Sequence, residues 1–415
     1  MLRSSRLVLS ARRCLAVPCV SRCGHGETST AVREARRRHS YSTARHTVQV
    51  ECRSNGHVPL RILQRQQQPS PILLYLPPGP LLSGHSPLDQ EDILHQLQQA
   101  SGATVISIDY RLGPEHRYPT PVHDVLTAYD WVLEHLASQP QHCSPNRPHL
   151  ARIGVCGELI GGSLATMLAL TECQLASHRI VAAAVNNPVV DWIFPSDLQE
   201  LQHDDAESEN VSAWLEDLAL SMGGGSVPRE NKLKKNPATQ PSSWDSYAHN
   251  PALPSSAIAH ARSELFPNPD AYFDRFASPI HFFRTPGINY VVPVKTEDDL
   301  ASEVPTEFNI MDSVEPVLEE RRRSHRIYPP TGLALRLPLL SVSVGEESVL
   351  LDQAEEFVRL MKRSMSRDFD SEDEANRRVG LRLRPGAGLW SGPFRGPNWE
   401  KEIGAIGAWF GRVLG

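Results

Sequence analysis

Three short runs hold most of the reactive side chains of this 415-residue chain. The first is Asp109-Tyr-Arg-Leu-Gly-Pro-Glu-His-Arg-Tyr-Pro-Thr-Pro-Val-His-Asp124, dense in acids, bases and prolines. The second is a glycine-bounded turn, Gly157-Glu158-Leu159-Ile160-Gly161-Gly162. The third is acidic, Gly345-Glu346-Glu347-Ser348-Val349-Leu350-Leu351-Asp352-Gln353. A catalytic serine or cysteine needs an adjacent base, usually an imidazole. The chain has 17 histidines, none of them after His325. Its seven cysteines include no CxxC pair, which excludes a zinc ribbon or a thioredoxin-like site. No His/Asp/Glu cluster has metal-ligand spacing, so neither metal nor cofactor is expected. Bland roles fit the remaining candidates. Cys156 ends an apolar run and reads as core. Ser163 lies one helical turn past Leu159 and reads as packing. His116, His123 and Glu158 read as surface or cap groups. His203-Asp204-Asp205 and Glu319-Glu320-Arg321-Arg322-Arg323 read as solvated.

Alternating strands and helices must position these runs. Residues 47–52 alternate, and 58–63 can pair with them as a hairpin. Pro71–Leu76 and Thr104–Asp109 are short continuous apolar runs, as buried parallel strands require. Helical spacing covers Asp89–Gly102, where Gly102 marks the stop, and Pro121–Leu136, where proline suits the first turn. Ala151–Cys156 reads as a strand leading through the glycine turn into a helix over Gly162–Cys173, and Ile180–Val185 as the next strand. After Pro195 the alternation stops: a helical piece at Val211–Met222 is followed by a polar Gly/Pro/Ser-rich stretch around Gly223–Ser243. It resumes with a strand at Leu337–Val344, a helix at Asp352–Met365, a charged loop at 366–379, a strand at Val379–Leu383 and an amphipathic helix at Trp399–Leu414. This order implies a three-layer α/β fold, mostly parallel, with helices on both faces and an inserted helical cap.

The Asp109–Asp124 run resembles the strand-loop-helix segment of the hormone-sensitive-lipase-like branch of the α/β-hydrolases, over roughly 70–192 and 277–410. There Arg111 and Asp124 sit where the family pairs them structurally. The resemblance places Gly157–Gly162 at the nucleophile elbow, which in the family reads Gly-Asp-Ser-Ala-Gly-Gly. Leu159 occupies its centre, and an aliphatic side chain forms no acyl intermediate. Pro77-Pro78-Gly79-Pro80 lies where a His-Gly-Gly-Gly loop would offer N–H groups to an oxyanion, and proline has none. Aligning Asp352 on the family's second acid puts Ser348 at the triad acid. The family's histidine loop corresponds to Pro385–Phe394, which contains no histidine.

The reading that follows is a protein that has lost the Ser-His-Asp triad and binds a small apolar ligand or a partner. Its expected pocket lining is Pro78, Gly79, Pro80, Glu158, Leu159 and Ile160, with Trp390 adding apolar surface. Two alternatives stand beside it: an active carboxylic-ester hydrolase or acyl-transfer enzyme with a displaced triad and Ser163 as its nucleophile, and a copy drifting without function. Hydrophobic residues make up 40% of the chain and charged residues 22%, which excludes wholesale disorder. A net charge of −6 argues against a nucleic-acid binder. No uncharged apolar run reaches the roughly 18 residues of a membrane span. Residues 1–45 carry ten Arg, no Lys and two Glu. That Arg-rich, acid-poor opening reads as a mitochondrial transit peptide to the matrix, the alternative being a cytoplasmic protein. The expected organisation is 1–45 targeting, 46–195 first core part, 196–276 cap, and 277–415 second core part with an irregular insertion at 288–336.

Overall fold

In the computed structural model, the short apolar runs become adjacent strands of one twisted sheet. The structure describes residues 43–52, 56–65, 70–81, 86–144, 147–175, 178–197, 241–291, 317–369 and 371–415. Most of the targeting stretch, the expected helix at 211–222, His203-Asp204-Asp205, most of the Gly223–Ser243 stretch and the middle of the 288–336 insertion lie outside them.

The strands are β1 (Thr43–Glu51), β2 (His57–Arg65), β3 (Ile72–Leu76), β4 (Thr104–Ile108), β5 (Cys143–Ser144), β6 (Arg147–Glu158), β7 (Arg179–Asn186), β8 (Ile288–Val291), β9 (Val317–Glu320), β10 (Leu339–Gly345) and β11 (Val379–Arg384). Among the described residues the main sheet runs β1-β2-β4-β3-β6-β7-β10-β11, with β5 pairing to β6. β1–β2 and β2–β4 are antiparallel; from β4 to β11 all neighbours on that path are parallel. β8 and β9 form a separate antiparallel pair.

The helices are α1 (Pro87–Ser101), α2 (Thr120–Val132), α3 (Leu159–Thr171), α4 (Ser243–Ser246), α5 (Ser255–Leu265), α6 (Pro269–Phe273), α7 (Leu351–Phe369), α8 (Glu372–Arg378) and α9 (Trp399–Leu414). Strand alternation divides the core in two. On β3, Ile72, Leu74 and Leu76 face the side of α2, α3 and α7. Leu73 and Tyr75 face α1 and α9, with Cys156, Trp390 and Phe410. This is the expected three-layer fold.

The element ends follow local chemistry. Ser86 caps α1 by accepting from Leu88 N at 3.2 Å, and Gly102 ends it at φ 68°. One expectation fails: 366–379 is not a loop. α7 continues to Phe369 and α8 follows at once. Ser371 caps α8 by accepting from Glu374 N at 3.3 Å. Glu372, Asp373 and Glu374 fill its first turn, and Arg377 and Arg378 its last. The charges that read as a loop are ordered by sign along a helix dipole.

Arg111 and Asp124 join the loop after β4 to α2. Asp124 is fully buried; it accepts from Arg111 Nη2 at 2.6 Å, from Nε at 3.0 Å and from the Arg111 backbone N at 2.9 Å. Asp124→Asn would leave the guanidinium facing a neutral group in a dry site. We expect a loss of about 3–5 kcal/mol of unfolding free energy in urea titrations. A change within about 0.5 kcal/mol, the range of an ordinary surface substitution, would show the pair to be dispensable.

Candidate active site

The turn between β6 and α3 has the steric signature of an elbow. A Cβ on Gly157 would lie 2.4 Å from the Gly161 carbonyl oxygen, and one on Gly161 would lie 2.1 Å from the Pro77 oxygen. Both positions therefore need glycine. Leu159 sits at the bend with φ 52°, a left-handed conformation that a branched side chain resists. Its side chain is fully buried in the core on the α2/α3 face.

The loop after β3 packs over this bend. Gly79 has φ 77°, and a Cβ there would touch Leu112 and Ile160. Tyr110 Oη donates to Pro77 O at 2.6 Å. Pro78 is buried and Pro80 exposed. At the end of β10, Ser348 is fully buried and its Oγ accepts from Leu350 N at 3.2 Å. Glu347 is exposed. Asp352 Oδ2 accepts from Ser243 N at 2.7 Å, tying α7 to α4.

The loop after β11 comes back against the elbow. A Cβ on Gly345 would lie 2.3 Å from the backbone of Ala387. Asn187, itself at φ 42°, donates from Nδ2 to Ala387 O at 3.0 Å. Asn186 Nδ2 donates to Gly388 O at 2.9 Å and to Glu158 Oε1 at 2.8 Å. Glu158 also accepts from Trp390 N at 2.5 Å and from the Ser391 hydroxyl. Glu158 is thus a fully buried anchor, not the solvent or cap group expected from the sequence. Burial pushes its carboxyl up to about 7, although the hydrogen bonds from Ser391, Trp390 and Asn186 pull the other way. By alternation from Cys156, Glu158 faces the α1/α9 layer, with Tyr75 and Trp390. Trp390 is therefore core on that face and adds nothing to a pocket on the other.

On the α3 side lies an apolar slot with about 30 Å³ of open space, enough for one or two water molecules. Its walls include Ile160, Ser163, Leu164, Trp192, Phe266 and Ala277. Of the six expected lining residues, Ile160 alone reaches it. Ser163 is buried, and its Oγ donates to Ala277 O at 3.2 Å. Cys156 is core as expected, and burial raises its thiol far above the ordinary value. His123 and Arg321–Arg323 are exposed.

Sequence reasoning missed a charged cluster behind the slot. Asp191 accepts from Arg284 Nη2 at 2.5 Å and lies 3.5 Å from His281 Nε2, all three buried. Burial alone would raise the Asp191 carboxyl, but Arg284 and His281 hold it well below the carboxylate range. His281 Nδ1 lies 3.0 Å from Phe273 O, so both ring nitrogens face groups other than Ser163. Arg284 also reaches Glu356 at 3.1 Å. No motif marks this cluster: Asp191 and Arg284 are 93 positions apart.

Residues 73–280, half of the chain, match the family described as alpha/beta hydrolase fold. The chain belongs to that family. Its relatives place it in the hormone-sensitive-lipase-like branch. It is 38% identical over 136 residues to ethyl acetate hydrolase of Pseudomonas putida, covering 31% of this chain and 39% of that protein. It is 32% identical over 127 residues to esterase LipI of Mycobacterium tuberculosis, covering 30% and 37%. The chain spans less than two fifths of the length of these curated relatives. A solved esterase of Pyrobaculum calidifontis superposes with a TM-score of 0.54 at 16% identity, covering 90% of this chain and 87% of that one.

These findings overturn the expectation of a non-catalytic binder. The relatives are named hydrolases and esterases, and no observation demonstrates positively that catalysis is lost. Leu159 removes one nucleophile at one bend and leaves the Ser163 hydroxyl on the slot wall. Among the described residues no helix is long and apolar enough to cross a membrane.

Glu158 gives the site a measurable pH signature. Its folded-state value, about 7, exceeds the ordinary 4.5, so the folded chain holds this proton more tightly. Its stabilisation is complete below about pH 4.5 and is lost as pH rises towards 7, a change on the order of 3 kcal/mol. The unfolding free energy of the protein minus that of Glu158→Gln should therefore fall as pH rises from about 5 to about 8. A constant difference across that range would contradict the assignment.

Proposed function

We propose that the protein acts on short-chain carboxylic esters, as a hydrolase or an acyl-transfer enzyme, in the apolar slot under the cap helices. The observation that carries this is Ser163: a buried hydroxyl on the wall of an apolar slot, one helical turn beyond the elbow, in a chain whose named relatives are ester hydrolases. The Ser163 Oγ attacks the ester carbonyl carbon, and its proton leaves with the alcohol. The resulting acyl-serine passes its acyl group to water in hydrolysis, or to a second hydroxyl in transfer. Pro78 and Pro80 have no N–H and Gly79 does not line the slot, so the donors for the oxyanion are the first-turn N–H groups of α3.

Two features set the expected rate and range. Ser163 bonds to a carbonyl oxygen, which is no general base, so turnover falls below that of a triad enzyme by about 10²–10⁴. The slot, with room for one or two waters, must widen to admit even an acetyl group, which disfavours long acyl chains. The Arg-rich, acid-poor N-terminal composition supports a mitochondrial site of action.

The test is release of p-nitrophenol from p-nitrophenyl acetate by the full chain. We expect slow, saturable turnover, labelling of Ser163 by a fluorophosphonate, and loss of both in Ser163→Ala at unchanged melting temperature. Folded protein with no turnover would overturn the proposal. Turnover that survives Ser163→Ala would overturn the choice of nucleophile.

A further inference from the structure

At the opposite end of the sheet, four arginines gather around four neighbouring strands. In the order β6-β7-β10-β11 these are Arg152, Arg179, Arg336 and Arg378. Arg152 and Arg179 are direct partners in the β6–β7 register. Arg336 precedes β10, and Arg378 stands immediately before β11. All four line one cavity of about 330 Å³, whose floor includes Leu339 and Val413. Among the described residues that line it none is acidic.

Like charges do not gather this way without a cost. Burial and then the nearby Arg336 push Arg378 below its ordinary value, with Arg179 adding to the effect and Glu374 opposing it. Glu374 lies 3.9 Å from Arg378 Nη1 and 3.3 Å from Arg377 Nε, so it is shared. The guanidiniums are also positioned. Arg378 Nη2 donates to Leu337 O at 3.0 Å, and Arg152 Nη1 to Val413 O at 3.5 Å. A planar fork held in place loses little entropy when an oxyanion arrives. His178, next to Arg179, is engaged through Nδ1 by Ala151 N at 2.9 Å, and Cys173 O accepts from Arg336 N at 3.0 Å.

We propose that this cavity binds a multiply charged phosphoryl group, at the end of the sheet away from the ester slot. Several guanidiniums around a pocket this size match the bidentate geometry and charge of a diphosphate. The apolar floor leaves room for a short organic substituent. Such a group comes from a soluble phosphorylated metabolite or from an anionic lipid headgroup.

The experiment uses the full chain, with inorganic pyrophosphate as probe in calorimetry and thermal melts, and phosphatidic acid against phosphatidylcholine vesicles in sedimentation. We expect saturable pyrophosphate binding that weakens with added salt. Arg336→Gln and Arg179→Gln should each weaken it by about tenfold. Arg359→Gln, on an exposed residue of α7, should leave it unchanged. Binding of phosphatidic acid vesicles, lost in the same two variants, assigns the site to a lipid headgroup; pyrophosphate binding without vesicle binding assigns it to a soluble ligand. Absence of saturable binding to both probes overturns the proposal. So does an equal loss in Arg359→Gln, which would mean diffuse surface charge.

Discussion

The elbow is a steric constraint before it is a chemical one. Strand β6 must turn into α3 where the Gly161 backbone presses on the carbonyls of Leu76 and Pro77. Glycine at 157 and 161 makes this approach possible, and the bend then forces residue 159 into the left-handed region. A leucine there costs about 1–2 kcal/mol of backbone strain. Full burial of its side chain returns about 2–3 kcal/mol. Packing alone can therefore hold the bend, and its persistence does not depend on a reactive group at its centre. The rest of the site inherits its geometry from this turn.

The pleat of β6 explains where polarity went. Successive side chains point to opposite faces, so Glu158 and Leu159 part company at the end of the strand. Leu159 joins the core towards α2 and α3. Glu158 goes beneath the loop after β11 and gathers Asn186, Trp390 N and Ser391. Nearly all the buried polar bonding around the elbow is spent on holding that loop against β7 and β10. The slot on the other face keeps a single serine and an otherwise apolar wall. Polar groups adjacent in sequence can thus be unavailable to the same chemistry.

Much of the fold was legible in the sequence because strand and helix periodicities are local. The runs at Pro71–Leu76 and Thr104–Asp109 became β3 and β4 nearly unchanged, and Trp399–Leu414 became α9 residue for residue. Arg111 and Asp124 were legible because the motif that pairs them is short. Failures came where the deciding interaction was long-range or depended on order, not composition. The stretch 366–379 looked like loop by charge content, while its Ser371 cap and the sign order of its charges make α8. Glu158 looked solvent-facing because a glutamate usually is; its partner Ser391 lies 233 positions away. Ser163 read as packing and is buried, but its acceptor, Ala277, 114 positions away, was not legible. No window along the chain contains either pair.

The slot's two walls differ in how firmly they are held. The inner wall, at 277–284, is fixed by several independent bonds to the core. Trp192 N donates to Ser278 Oγ at 3.1 Å, Ile280 N to Val190 O at 3.1 Å, and Arg284 spans Asp191 and Glu356. Asp191 and Arg284 are buried, so separating them leaves a charge unpaired in a dry setting, whereas Glu356 is partly exposed. The outer wall, carrying Leu265 and Phe266, is held by Tyr118 N donating to Leu265 O at 2.8 Å, by the Phe266 ring against Tyr118, Trp192 and Tyr272, and by Arg262, which donates to Trp192 O at 2.9 Å and pairs with Asp197 at 2.5 Å. Both members of that pair are partly exposed, so water can replace their contacts. The ion pair of the inner wall is therefore more costly to separate than that of the outer wall. The Ser163 hydroxyl thus lies against the wall that carries the buried Asp191–Arg284 pair, which is where the proposed ester chemistry would require its nucleophile to be held.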